Sequence, residues 1–162
     1  MLETKIYCDE MPRPIGFENV TIYRGLNAYY GKSTFDSIFN AFVDLIDNPM
    51  KQVCCSTHTI GDIGVVLEGD VIMASNMDLQ SKMDEETNRR YYIPDGIREE
   101  HIIYDAKDLE DNNYGINDEI IMENVKVKAI WLSYEYDDLS LFVAEHISKV
   151  YGLKIIDVRQ DF

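Results

Sequence analysis

The chain has 162 residues, 46% of them hydrophobic, and thirty acidic side chains against fifteen basic ones give a formal net charge of −15. That length buries one sizeable core and predicts a single domain over residues 1–162, while the charge repels a phosphate backbone and excludes direct, sequence-independent nucleic-acid binding. No stretch approaches the roughly 20 apolar residues that span a bilayer, and three cysteines, Cys8 and the adjacent Cys54 and Cys55, form no metal-ligand spacing. A soluble, cytoplasmic protein with reduced thiols, without a metal and without a membrane partner, is therefore expected.

In chain order, Lys5 to Cys8 reads as a short extended piece leading into a connection punctuated by Pro12, Pro14 and Gly16. Val20 to Tyr23 reads as a strand, and Gly25 after Arg24 marks a tight exit or a close approach of another backbone or a ligand. From Ser33 the period changes: Phe35, Ile38, Phe39, Phe42, Leu45 and Ile46 fall on one helical stripe. Ser33 or Thr34 caps that helix and Asn48-Pro49 ends it, and its phenylalanines are expected in the core.

Lys51 to Cys55 follows as a strand, and Val65–Leu67, Glu68-Gly69-Asp70 and Val71–Ala74 together read as a hairpin. Residues 75–101 form a long polar excursion with helix expected around Leu79 to Arg90, and Glu100 to Tyr104 reads as a strand. After an acidic connection from Ala106 to Asn113, the runs Glu119–Met122 and Val125–Tyr134 give the strongest strand signal, joined by Glu123-Asn124 as a second hairpin. Leu139, Phe142, Val143, Ile147 and Val150 define a second helix that Gly152 terminates, and Leu153 to Val158 closes the chain as a strand. Strands without a regular βαβ alternation predict an α+β fold.

Three histidines are too few and too scattered for a metal site, and neither a nucleophile elbow nor a glycine-rich phosphate loop is present. His58 and Ser56 stand two apart on one strand face and make a weak nucleophile–base pair, and His101 and His146 read as ordinary surface or cleft residues. Three stretches stand out. Arg24 ends an apolar strand beside a glycine, and its planar fork suits a diphosphate or a carboxylate. Ser56-Thr57 ends another strand, where hydroxyls orient a carboxylate or bind a ribose, or simply form a turn. Glu119 opens an apolar strand, a costly place for a carboxylate without partners or a task.

In order, Tyr23-Arg24-Gly25, Cys55-Ser56-Thr57-His58 and Tyr114-Gly115-Ile116-Asn117-Asp118-Glu119 resemble the ADP-ribosyltransferases of the arginine-serine-glutamate class. Their pattern is aromatic-Arg-Gly, a strand ending in Ser-Thr, and a turn carrying an aromatic residue, a glutamine or glutamate, and a final glutamate. The resemblance implies two packed, mainly antiparallel sheets with flanking helices, NAD as substrate, and transfer of ADP-ribose to a target protein with release of nicotinamide. It implies that Arg24, with Tyr23, Gly25 and Thr57, binds NAD, that Ser56 holds the glutamate and the ribose, and that Glu119 stabilises an oxocarbenium-like transition state. Tyr114 and Asn117 would face the acceptor, and Asn117 in place of an acidic residue points to asparagine rather than arginine. Small transferases of this kind resemble bacterial or phage effectors that disable a host or CRISPR component. The alternative from charge alone is a non-catalytic acidic protein that blocks a basic, nucleic-acid-binding surface of a partner.

Overall fold

The computed structural model describes residues 4–27, 33–94, 99–110 and 118–157. Along the chain it contains β1 (Ile6–Tyr7), β2 (Ile22–Gly25), α1 (Phe35–Asp47), β3 (Val53–Cys55), β4 (Ile63–Ser75), β5 (Lys82–Asp84), β6 (Arg89–Tyr92), β7 (Ile102–Ile103), β8 (Glu119–Leu132), α2 (Asp138–Tyr151) and β9 (Ile155–Asp157). The class is α+β. One sheet has the order β1-β6-β5; the other has the order β2-β4-β8-β3, with β7 on β4 and β9 on β8. The recorded strand registers are antiparallel except for β9, which runs parallel to β8.

The chain gathers into two compact units. The first takes Met1–Val20, Met50–Thr57 and Gly69–Asn124; the second takes Thr21–Pro49, His58–Glu68 and Val125–Phe162. The two boundaries inside strands, after Glu68 and after Asn124, fall where the sequence predicts hairpin turns. Neither turn forms: β4 and β8 each run on unbroken, for 13 and 14 residues. Glu68, Gly69 and Asp70 stay extended and exposed. Asn124 takes a left-handed φ of 55°, which re-aims β8 locally without reversing it.

In the first unit the expected helix around Leu79 to Arg90 is instead a β-hairpin of β5 and β6, with Asp84 opposite Arg89. Asp84 makes the turn: its carbonyl accepts from Thr87 and Asn88, and its Oδ1 accepts from Glu86 N at 3.1 Å. Asn88 supplies the left-handed position, φ 57°. An aspartate that bonds the backbone two residues on competes with helix, and here it wins. The strand expected over Glu100 to Tyr104 shortens to β7, preceded by a single 3-10 turn at Glu99–His101. The buried centre of this unit contains Cys8, Ile72, Met73, Leu79, Tyr92 and Ile121.

In the second unit both helices appear where the periodicity places them. Thr34 caps α1, accepting from Ser37 N at 3.0 Å while Ser37 Oγ accepts from Thr34 N at 2.9 Å. Asp137 caps α2 by accepting from Ser140 N at 2.8 Å, and Gly152, φ 69°, ends it in the left-handed region. The stripe on α1 is only partly internal. Ile38, Phe42 and Leu45 are buried, which stabilises by about 1.5–3 kcal/mol each, but Phe35 and Phe39 are half-buried and Ile46 is exposed. On α2 Val143 and Ile147 are buried, whereas Phe142 and Val150 are 62% and 58% exposed. The two helices pack on each other. Gly64 lies against the ring of Trp131, whose indole N–H donates to the Val65 carbonyl at 3.1 Å, so a side chain at position 64 would collide with that ring.

Candidate functional site

In the first unit β3 runs antiparallel to β8, with Cys55 opposite Ile120, and this register carries Ser56 and Thr57 towards the start of β8. The carboxylate they meet is that of Asp118. Its Oδ1 accepts from Ser56 Oγ at 2.6 Å and from Thr57 N at 2.9 Å, and its Oδ2 accepts a very short bond from Thr57 Oγ1. Asp118 is 5% exposed, so three donors offset the cost of removing its charge from water. The hydroxyl-on-carboxylate contact expected at Ser56 is therefore present, with Asp118 as the acceptor in the place expected for Glu119.

Successive strand residues point to opposite faces, and Glu119 turns the other way. It is 1% exposed, and its oxygens accept from Leu79 N at 2.8 Å and Ser81 N at 3.3 Å. Between those two donors Gln80 adopts a left-handed φ of 57°, and Asp78 Oδ1 accepts from Gln80 N at 2.8 Å. Two backbone N–H groups flanking a left-handed residue form a concavity suited to an anion, and here the anion is the chain's own carboxylate. Burial raises the Glu119 pKa, and neighbouring Asp78 adds to the rise, while the bonds from Ser81 and Leu79 oppose it. Burial and then the Glu119 charge push the Cys8 thiol up to about 12 and raise the Tyr92 phenol as well.

The remaining predicted residues are distributed differently. Tyr23, Arg24 and Gly25 lie on β2 in the second unit, opposite Val66, Val65 and Gly64 of β4. The close approach expected at Gly25 is made by the chain itself, since a side chain there would meet the Ile60 carbonyl. Ser56, Thr57 and Glu119 belong to the first unit. Tyr114 and Asn117 lie outside the described residues.

Sequence reasoning missed a polar network in the first unit centred on Gln52, which is 2% exposed. Gln52 Nε2 donates to Asp9 Oδ2 at 2.9 Å and Glu123 Oε2 at 3.3 Å, and its Oε1 accepts from Arg90 N at 2.7 Å. Arg89 donates through two nitrogens to Asp9 and lies 3.8 Å from the centre of the Tyr7 ring. That guanidinium holds Asp9 below the usual carboxylate range. Nothing local marks Gln52, which stands between a lysine and a valine, because its partners come from distant stretches.

Carboxylates are also displayed on the two helices of the second unit. Asp36, Asp47, Asp138 and Glu145 are exposed, and none makes a salt bridge among the described residues. Asp62 has its pKa raised by burial and then by nearby Asp137 and Glu135. Among the described residues no helix is long and apolar enough to cross a membrane, and no group of three His, Cys, Asp or Glu side chains is placed to hold a metal ion. No protein-family model, curated protein or solved structure matches the chain.

Proposed function

We propose that the chain is a non-catalytic binding protein whose displayed carboxylates engage a basic surface of a partner protein, of the kind that otherwise holds nucleic acid. The observation that carries this reading is a contrast in where carboxylates point. Glu119, the predicted catalytic carboxylate, and its neighbour Asp118 are internal, and hydroxyls and backbone N–H groups of the same unit occupy their oxygens. A carboxylate that stabilises a developing cation has to touch the substrate. Meanwhile Asp36, Asp47, Asp138 and Glu145 on α1 and α2 face solvent without a salt bridge among the described residues, and a net charge of −15 favours encounter with a cationic surface in the cytoplasm.

A fluorescein-labelled arginine-rich peptide tests the reading. It should bind at about 0.05 M salt and lose roughly tenfold in affinity by about 0.2 M, because exposed charges are screened within about 10 Å at 0.1 M. No binding at the lower salt would overturn the proposal.

One observation favours a second reading, the NAD-dependent transferase of ADP-ribosyltransferase-like fold. Ser56 and Thr57 do grip a carboxylate of the predicted turn, at Asp118. In that reading Arg24 binds the pyrophosphate, the acceptor is an asparagine of a host or defence protein, and the protein acts as a bacterial or phage effector. Saturating NAD then raises Tm, since a ligand at 100 times its Kd stabilises by about 2.7 kcal/mol. Nicotinamide release that disappears in Asp118→Asn or Glu119→Gln, each checked for folding, would establish this second reading in place of the first.

A further inference from the structure

The faces of α1 and α2 left in solvent carry the wrong residues for a bare surface. Phe142 is 62% exposed, Val150 58%, and Ile46 and Tyr151 40% each. Phe142, His146 and Val150 are spaced four apart, so they form one stripe along α2. Against that stripe stand Phe35 and Phe39 of α1. The Phe35 ring lies 5.7 Å from Phe142 and 5.3 Å from His146, and Phe39 lies 5.4 Å from His146 and 6.4 Å from Tyr151. Ring contacts therefore link the two helices into one aromatic ladder, all of it within the second unit. Scattered exposed apolar side chains are ordinary; a connected ladder of this kind marks an interaction surface.

The charge around it selects the occupant. α1 carries Asp36, Asp44 and Asp47 and no basic residue. On α2, Asp138 lies one turn before Phe142 and Glu145 one turn after it, with Lys149 the helix's one lysine or arginine. A second copy of the chain would bring the same rim and another net charge of −15, and anionic lipid or nucleic acid would also be repelled. Apolar anchors ringed by carboxylates fit a segment that alternates leucine-like side chains with lysine or arginine on a helical period. Resting on the binding function above, we infer that the α1–α2 face is the docking site for a short basic amphipathic helix of the partner protein. The anchors settle on Phe35, Phe39, Phe142 and Val150, while the cations reach Asp36, Asp138 and Glu145.

The probe is a leucine–lysine amphipathic peptide of about 14 residues, roughly four helical turns, compared with a serine–lysine peptide of the same charge. The wild-type protein should bind the leucine-containing peptide at least about tenfold more tightly. Phe142→Ser/Val150→Ser should abolish that advantage and leave the serine–lysine affinity unchanged, with Trp131 fluorescence confirming the fold. Asp36→Asn/Asp138→Asn/Glu145→Gln should weaken the leucine–lysine peptide more than the equally neutralising Glu85→Gln/Glu86→Gln/Glu99→Gln. If both peptides bind with equal strength, or if both neutralised variants lose equally, this docking site is overturned while the binding function stands. If neither peptide binds, the binding function fails as well. Tight binding to uncharged lipid vesicles would overturn the protein partner.

Discussion

Around β3 and the start of β8, polar side chains are turned inward and matched to donors: Asp118 has three, Glu119 has two, and Gln52 bonds on both sides of its amide. On α1 and α2 the arrangement is reversed, because Phe142 and Val150 face solvent and the exposed Asp36, Asp138 and Glu145 of the same helices make no salt bridge among the described residues. Buried polar groups must find partners within the fold or destabilise it, so the first region reads as internal structure. Apolar groups in water gain by finding partners outside it, so the second reads as an interface. Exposure, rather than residue type, separates the two roles, since both regions are rich in carboxylates.

The largest expected effect lies in the second unit's core. Gly64→Ala drives a methyl into the Trp131 ring and the Arg24 carbonyl, and should destabilise by about 3 kcal/mol or more, read by urea unfolding followed through the single tryptophan. Glu119→Ala should cost about 2–4 kcal/mol, because it leaves the Leu79 and Ser81 N–H groups unpaired beside a cavity. A change below about 0.5 kcal/mol would remove Glu119 from the internal region and return it to the candidate catalytic groups. Asp118→Ala should cost about 2 kcal/mol. Asp118→Asn should cost less, since the Ser56 and Thr57 hydroxyls can rotate to donate to, or accept from, the amide.

The pH dependence sharpens the same contrast. Burial raises the native pKa of Glu119 above its unfolded value, so the native state holds this proton longer as pH rises. Its contribution is full below the unfolded glutamate value and is lost as pH climbs through the native one. The stability cost of Glu119→Gln should therefore shrink as pH rises above the unfolded glutamate value of about 4.3, measured as paired urea midpoints. The smallest effect belongs to the displayed region: Phe142→Ser should change stability by no more than about 0.5 kcal/mol while removing the apolar component of peptide binding. A large loss of stability there would mean that the aromatic ladder serves the fold.

Both helices, the cap at Thr34 and the glycine stop at Gly152 were legible in the residues, because helical contacts lie within four positions and leave a local period. The cap at Thr34 resolves the choice between Ser33 and Thr34. The strands were legible as apolar runs but not as wholes. Gly69 and Asn124 read as turns, yet β4 and β8 pass straight through them, since ladder partners from distant stretches hold a strand extended against a weak local preference. The helix expected around Leu79 to Arg90 gave way to the hairpin at Asp84–Asn88, where an aspartate turn competes with helix.

The same division runs through the candidate site. Residue order alone singled out Ser56, Thr57 and Glu119 and predicted a hydroxyl holding a carboxylate. Folding decided that the carboxylate is Asp118 and that Glu119 faces the opposite way, because register and strand alternation assign a side chain to a face and a one-residue step reverses it. Local pattern could equally mark the phenylalanines of α1 and α2 as apolar. Only packing decided which were enclosed, since the apolar arc of each helix is wider than the surface that covers it, and the remainder is left facing water.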